Sequence, residues 1–320
     1  MIQEDRKLNK NFKNCIMLCL LVSLFLMIAG CSFASPVQSD FEHIDPGYTN
    51  SYYFDVFTPA SKDSPRNGII ELQSYDDDIY FQIENAGQER ELAIQIFIDC
   101  RLTPIIIDNV EYETFLIDSK EILSETYSFK LAKPLDTSKN HSMLAILIAG
   151  SDIHTNQVEF EMTNQYSIAL DHVLLFGEDL PMAQSDYGYE EVGLVTEYQS
   201  AGLLLNTDIE NNSRAIPERE IIVHPEEEFS LQYQVGGYQD CDEVAVIITV
   251  GLEQAKINNQ DYILCKVREG ELIHGTAGLK APAEAGEYEI MGWVIKNPFD
   301  TDKTEYFPLD AAYRFTLTVK

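Results

Sequence analysis

The chain has 320 residues, of which 45% are hydrophobic and 11% aromatic, enough apolar material for packed cores and too much for a disordered acidic tail. Its 53 acidic residues against 22 basic ones give a net charge of −31, a surface that repels nucleic acid and anionic headgroups. Divalent cations, cationic peptides, glycans and other proteins remain as partners, and the length beyond the first thirty residues suits two domains of ordinary size.

The first element is an apolar run at 15–30, broken only by Ser23 and preceded by Arg6, Lys7, Lys10 and Lys13. It is shorter than the roughly 20 residues that span a bilayer as a helix, and a basic region before a short apolar run is the layout of an export signal. The run ends in Ile28-Ala29-Gly30-Cys31. That ending resembles the lipobox of bacterial lipoproteins, an aliphatic and two small residues before a cysteine. In that family the cysteine thiol takes a diacylglycerol and a peptidase cuts just before it. The resemblance covers residues 1–31 and implies lipidation of Cys31, with the protein anchored by lipid on the outer face of a bacterial cell membrane. Two alternatives stay open: an uncleaved anchor, or cleavage near Ala34 or Ser35. Either keeps the remainder outside the cytoplasm, because no second apolar stretch of about 18 residues follows.

Residues 31–46, rich in Ser, Pro and Asp, are expected to be a tether. Alternation then dominates, in 79–83, 92–98 and 127–131, with further apolar runs at 104–107, 110–115 and 143–148. Period two sets one row of side chains on a core and the other toward water, so these are strands. Turn-prone segments such as 85–87, 108–109 and 136–140 separate them. The spacing predicts a first β-sandwich over 47–180. Residues 181–218 are expected to be a connection, or late strands of that domain at 191–196 and 202–206. A second sandwich is expected over 219–320, with strands at 229–235, 244–250, 261–267, 287–295 and 313–319. In the last of these Tyr313, Phe315, Leu317 and Val319 face the core, with Arg314, Thr316 and Thr318 facing water.

The segment Pro282-Ala283-Glu284-Ala285-Gly286-Glu287-Tyr288-Glu289-Ile290 resembles the edge found in bacterial immunoglobulin-like domains. The resemblance covers about ten residues. It implies a glycine that lets the chain turn into a penultimate strand and a tyrosine packed across the sheets. The expected fold is all-β, two immunoglobulin-like β-sandwich domains after a lipoprotein signal peptide and a short tether.

Of the cysteines beyond Cys31, Cys100 reads as a buried thiol within an apolar run, whereas Cys241 and Cys265 are candidates for a disulfide that export would permit. Hydrolase and phosphate-loop motifs are absent from the sequence, as is any Cys-x-x-Cys or His-x-x-x-His spacing. The histidines His43, His141, His154, His172, His224 and His274 read as solvated loop or strand-end residues. Asn297, Asp300, Asp302 and Glu305 share a loop and are candidate Ca²⁺ ligands, with Asp76-Asp77-Asp78 as a second acidic cluster. Tyr48, Tyr52, Tyr53, Phe54 and Phe57 form an aromatic cluster suited to core packing or to a glycan face. The expected function is a non-catalytic binding, adhesion or envelope-assembly module without a cofactor unless Ca²⁺. The alternatives are a structural spacer and an envelope hydrolase with its site at the domain junction.

Overall fold

The structure, a computed structural model, describes residues 51–59, 68–157, 167–195, 202–209, 219–300, 311–312 and 314–320. These residues form an all-β protein. The first half supplies β1 (Ser51–Phe57), β2 (Ile69–Glu71), β3 (Ile79–Ala86), β4 (Arg90–Ile98), β5 (Arg101–Leu102), β6 (Ile105–Ile107), β7 (Val110–Tyr112), β8 (Phe115–Ser119), β9 (Ile122–Leu131), β10 (His141–Ala149) and β11 (Ser167–Leu175). One sheet runs β1-β3-β9-β6-β7; the other runs β2-β11-β10-β4, with β5 and β8 both on the far side of β4. Between them lies an apolar core of Phe54, Phe81, Ile83, Ile94, Phe129, Leu147 and their neighbours. Phe81 sits at its centre, with the rings of Tyr127 and Phe129 at 5.2 and 5.6 Å.

The second half supplies β12 (Gly193–Leu194), β13 (Gly202–Asn206), β14 (Glu220–Val223), β15 (Glu228–Gly236), β16 (Glu243–Val250), β17 (Glu253–Gln254), β18 (Ile263–Lys266), β19 (Leu272–Lys280), β20 (Gly286–Lys296) and β21 (Phe315–Val319). Its sheets run β12-β19-β15-β13 and β14-β21-β20-β16, with β17 and β18 on β16. A second core of Leu205, Leu231, Tyr233, Val246, Ile290, Phe315 and others fills the space between them. As expected, β20 begins at Gly286 and Tyr288 packs on this core, its hydroxyl donating to the Glu284 carbonyl at 3.0 Å.

Strands β13 to β21 repeat the order and pairing of β1 to β11. The β1-β3-β9 ladder corresponds to β13-β15-β19, and the β2-β11-β10-β4 ladder to β14-β21-β20-β16, each with its first pair parallel. After β4 the chain turns through Asp99 and Cys100, and after β16 through Gly251 and Leu252, two-residue hairpins in matching register. Asp99 N–H donates to the Ser142 carbonyl, and Gly251 N–H to the Glu289 carbonyl. Each half then makes a second tight turn, at Asp108-Asn109 and at Asn258-Asn259, all four residues at positive φ, a conformation that Asn and Asp tolerate better than other side-chain-bearing residues.

Two sequence expectations are corrected. Strand β13, expected as connection or as a late strand of the first domain, hydrogen-bonds β15, and β12 hydrogen-bonds β19, so 193–194 and 202–206 supply strands to the second sandwich. The second correction concerns faces. Ala93, Gln95 and Phe97 on β4, and Arg314 and Thr316 beside or on β21, were expected to face water; all are buried. Their face of the sheet is covered by the other sandwich.

Candidate functional site

The β4-β10-β11 face of the first sandwich packs against the β16-β18-β20 face of the second. Ala93, Phe97, Cys100, Leu144, Ile146, Ile148 and Ala169 meet Ala245, Ile247, Tyr262, Leu264, Met291, Trp293 and Ile295 in a third buried cluster. Both strands of each central pair are therefore apolar on two faces, which explains runs such as Val244–Val250 and Met143–Ala149 in which nearly every residue is hydrophobic. Burying these side chains excludes water from the joint.

Polar groups close the joint at two places. At one, the Glu289 carboxylate lies under the loop that follows β10. It accepts from Thr155 N–H at 2.9 Å, Thr155 Oγ1 at 2.5 Å, Thr316 Oγ1 at 2.6 Å and Arg314 Nε at 3.1 Å. Arg314 also donates to the carbonyls of Gly150 and Ile153, at 3.2 and 2.6 Å. The Arg314 and Glu289 side chains are 7% and 3% exposed, so the pair is desolvated and its lone pairs and protons are met by the neighbouring loop. Arg219 and Asn156 extend the contact, donating to the Thr155 carbonyl and the Glu287 carboxylate.

At the other place, Arg101 reaches from β5 to Asp261 at 3.0 Å and to Asp186 at 2.9 Å, and its guanidinium lies over the Tyr187 ring at 5.4 Å. Tyr187 donates to Asp261 at 2.8 Å and Lys256 also pairs with it. Burial pushes the Asp261 carboxyl up, but bonds from Lys256, Tyr187 and Arg101 outweigh it and hold the group down at about 2. Gln254 spans the joint: its amide donates to the carbonyls of Cys100 and Asp261, and its oxygen accepts from Leu102 N–H at 2.7 Å. Gln95 crosses in the opposite direction, donating to the Leu252 carbonyl at 2.6 Å. Cys100 and Leu252 occupy equivalent turn positions, so the two halves exchange matching hydrogen bonds.

Cys31, Tyr48, His43, Asp302 and Glu305 lie outside the described residues. Cys241 and Cys265 are free, buried thiols, not a disulfide. The registers explain this: Cys265 on β18 stands opposite Val244, while Cys241 lies three residues earlier, in the turn before β16, with its Sγ against the Glu243 carbonyl at 3.2 Å. Burial pushes both thiols up, Cys265 to about 11, away from the thiolate form that reacts. Cys100 is buried in the joint, as its apolar run suggested.

Asn297 holds a turn: its side-chain oxygen accepts from Asp242 and Glu243 N–H, and its amide donates to the Asp240 carbonyl. Asp300 follows it, donating its N–H to the Asn297 carbonyl. In the other acidic cluster, Asp77 accepts from the N–H groups of Gln73 and Ser74, and Asp76 pairs with Lys130. Among the described residues no group of three or more His, Cys, Asp or Glu side chains is placed to hold a metal ion. The aromatic cluster divides: Phe54 and Phe57 are buried, whereas Tyr53 is exposed beside Asp55.

The histidine expectation is corrected for two residues. His141 and His172 lie within β10 and β11 and are buried. His141 Nδ1 is 2.6 Å from the Asp99 carboxylate and Nε2 is 3.1 Å from the Asp136 carbonyl oxygen. With both ring nitrogens against acceptors, this histidine holds a loop and a turn together. Sequence reasoning missed it, along with Arg101, Asp261, Glu289 and Arg314, because partners such as Asp99 for His141, Asp261 for Arg101 and Thr155 for Glu289 are brought close only by the packing of strands distant in the chain. The one usable signal was the absence of polar alternation in β10 and β16, which marks strands buried on both faces.

No family model matches the chain, and no curated protein matches it. Among solved structures, the C-terminal domain of the Streptococcus agalactiae AgI/II polypeptide BspA aligns with 84% of this chain and 100% of its own, at 9% identity and a TM-score of 0.23. The C-terminal domain of the Streptococcus pyogenes antigen I/II-family protein AspA aligns over 84% and 99%, at 8% identity and a TM-score of 0.22. The periplasmic chaperone SfaE aligns over 84% and 100%, at 10% identity and a TM-score of 0.22. At these TM-scores the likeness carries no argument, and the all-β assignment stands on this chain's own strand pairing.

Proposed function

We propose that the chain is a lipid-anchored extracytoplasmic protein, held at Cys31 on the outer face of a bacterial membrane, that acts as a non-catalytic binding, adhesion or envelope-assembly module. The observation that carries this reading is the use to which the polar side chains are put. Among the described residues, the buried carboxylate Glu289, the cation Arg314 and the histidine His141 contact groups that hold sheets, loops and turns together. A partner is then met by an outer surface, through side chains such as the exposed Tyr53. The strong negative charge favours a cationic peptide, a neutral glycan or a Ca²⁺-bridged envelope protein.

A second reading, a structural spacer that presents a partner protein, is favoured by the joint itself, since a buried apolar interface closed by desolvated polar groups resists bending. The hydrolase alternative loses ground because side chains fill the described junction where its site was expected. Two measurements test the proposal. Labelled palmitate should enter the native protein and not a Cys31→Ser variant. Thermal unfolding against Ca²⁺, wall glycans and cationic peptides should show a raised midpoint with one of them, because a ligand that binds only the folded state stabilises it by mass action. No shift with any of them moves the reading to the spacer, and no palmitate in the native chain removes the lipid anchor.

A further inference from the structure

We infer that His141 is a pH-sensitive pin of the joint: as an imidazolium it fixes the Asp99-Cys100 turn against the second sandwich, and loss of its proton loosens that contact. The geometry suits the charged form. Nδ1 faces the Asp99 carboxylate at 2.6 Å and Nε2 faces the Asp136 main-chain oxygen at 3.1 Å, and neither of these atoms can donate. A neutral imidazole carries one N–H and would turn a lone pair toward one of them. The side chain is 6% exposed, and the Phe176 ring stands edge-on to it at 6.1 Å, so water has little room to repair the mismatch.

Among the described residues, the charged groups that face the ring are Asp99 from the β4-β5 turn and Asp136 from the loop between β9 and β10. Lys139 pairs with Asp136 at 3.6 Å, and β11 is followed by the uncharged Phe176. Burial pulls the imidazole down, but the hydrogen bond and charge of Asp99, joined by Asp136, outweigh it and raise the group above 6.5.

The comparison between the two halves supports a dedicated role. Asp99 sits at positive φ, 48°, where the equivalent turn of the second sandwich has Gly251 at 63°. Aspartate takes that conformation less readily than glycine. At the position of His141 the second sandwich has Tyr288, packed beside Gly251. The first sandwich thus has an aspartate in place of glycine where its carboxylate meets the ring; Asp99 Oδ1 also accepts from Ser142 N–H at 3.1 Å. The turn transmits the effect. Cys100 O accepts from Gln254 at 2.8 Å, Arg101 pairs with Asp261 and Asp186, and Leu102 N–H donates to Gln254.

The folded value lies above the unfolded one, so the stabilisation is complete below pH 6.5 and is lost as pH rises through the folded value. Trp293, the one tryptophan of the sequence, lies buried in the joint and reports on its opening. The experiment compares the full-length chain in detergent with its His141→Gln variant, by acrylamide quenching of Trp293 and by thermal midpoint, from pH 6 to 9.5. In the native chain quenching should rise with pH and the midpoint should fall by about 3 °C more than in the variant, whose quenching should be high and flat. Parallel quenching curves in the two proteins overturn the inference, as does a lower midpoint with unchanged quenching, which would confine His141 to local stability. If the variant fails to fold, carbon-13 titration of the His141 ring in the native chain decides: a midpoint above 6.5 supports the inference and one at or below 6.5 overturns it.

Discussion

The two sandwiches have matching strand order, matching ladders and matching tight turns, yet equivalent positions carry different burdens. Leu116 on β8 and Leu264 on β18 stand opposite Ala93 and Ala245 in the same register, but Leu116 is 47% exposed while Leu264 is buried in the joint. Ser142 and Glu289 occupy equivalent places; the Glu289 side chain anchors a loop of the other half, whereas Ser142 donates its N–H to the Asp99 carboxylate of its own half. The first half extends its outer sheet with the β6-β7 hairpin, and the second extends its own with β12 from the crossover. A shared backbone pattern therefore left the joint to be made specific by side chains that differ between the halves. Equivalent sheets meet, but they are locked by unequal groups.

The largest test of that comparison is Glu289→Ala. It strands the Arg314 charge among carbonyls of the first sandwich and should cost about 4 kcal/mol in urea unfolding; a loss under about 1 kcal/mol would show that the pair is not desolvated in solution. Next, Leu264→Ala should cost about 3 kcal/mol, while Leu116→Ala at the equivalent position should stay within about 0.5 kcal/mol. Equal losses would mean that the joint is open. Gly251→Ala should cost about 1 kcal/mol, because Gly251 sits at φ 63° and an added Cβ would lie 3.2 Å from the Tyr288 ring.

A smaller effect is expected in acid. Asp261 titrates at about 2 when folded and at 3.8 when free, so its stabilisation is present above pH 3.8 and is lost as pH falls through 2. Its partners Lys256 and Arg101 are 64% and 36% exposed, which screens the network to less than about 1 kcal/mol. Asp261→Asn should lower stability at pH 7 by less than about 1 kcal/mol and flatten the acid limb of the stability curve between pH 4 and 2. Last, iodoacetamide should modify none of Cys100, Cys241 and Cys265 in the native protein and all three after unfolding without reductant. Protection of the Cys241 and Cys265 pair after unfolding would reveal a bridge formed in the oxidised protein.

Much of the strand content was legible because alternation is a local property. Segments 79–83, 92–98, 229–235 and 244–250 each form the strand that their pattern implies, and the Gly286 entry into β20 lies where the ten-residue motif put it. Strand β11 was not legible, since Asp171 and His172 interrupt its apolar run, nor was β1, whose aromatic residues alternate between core and surface. The joint was legible only in outline. Continuous apolar runs in β10 and β16 are the mark of burial on both faces, but the sequence does not say what covers the second face.

What the sequence determined by itself is the all-β character and most strand positions, with the tight turns, because these depend on neighbours a few residues apart. Tertiary structure alone decided that Arg314, Thr316 and Gln95 are buried rather than wet, that Cys241 and Cys265 stay unpaired, and that His141 is held between Asp99 and Asp136. The physical reason is that solvent exposure and electrostatic environment belong to the assembled layers. A side chain's outward face is set by the strand, but whether that face meets water or a second sheet is set by how the sheets pack.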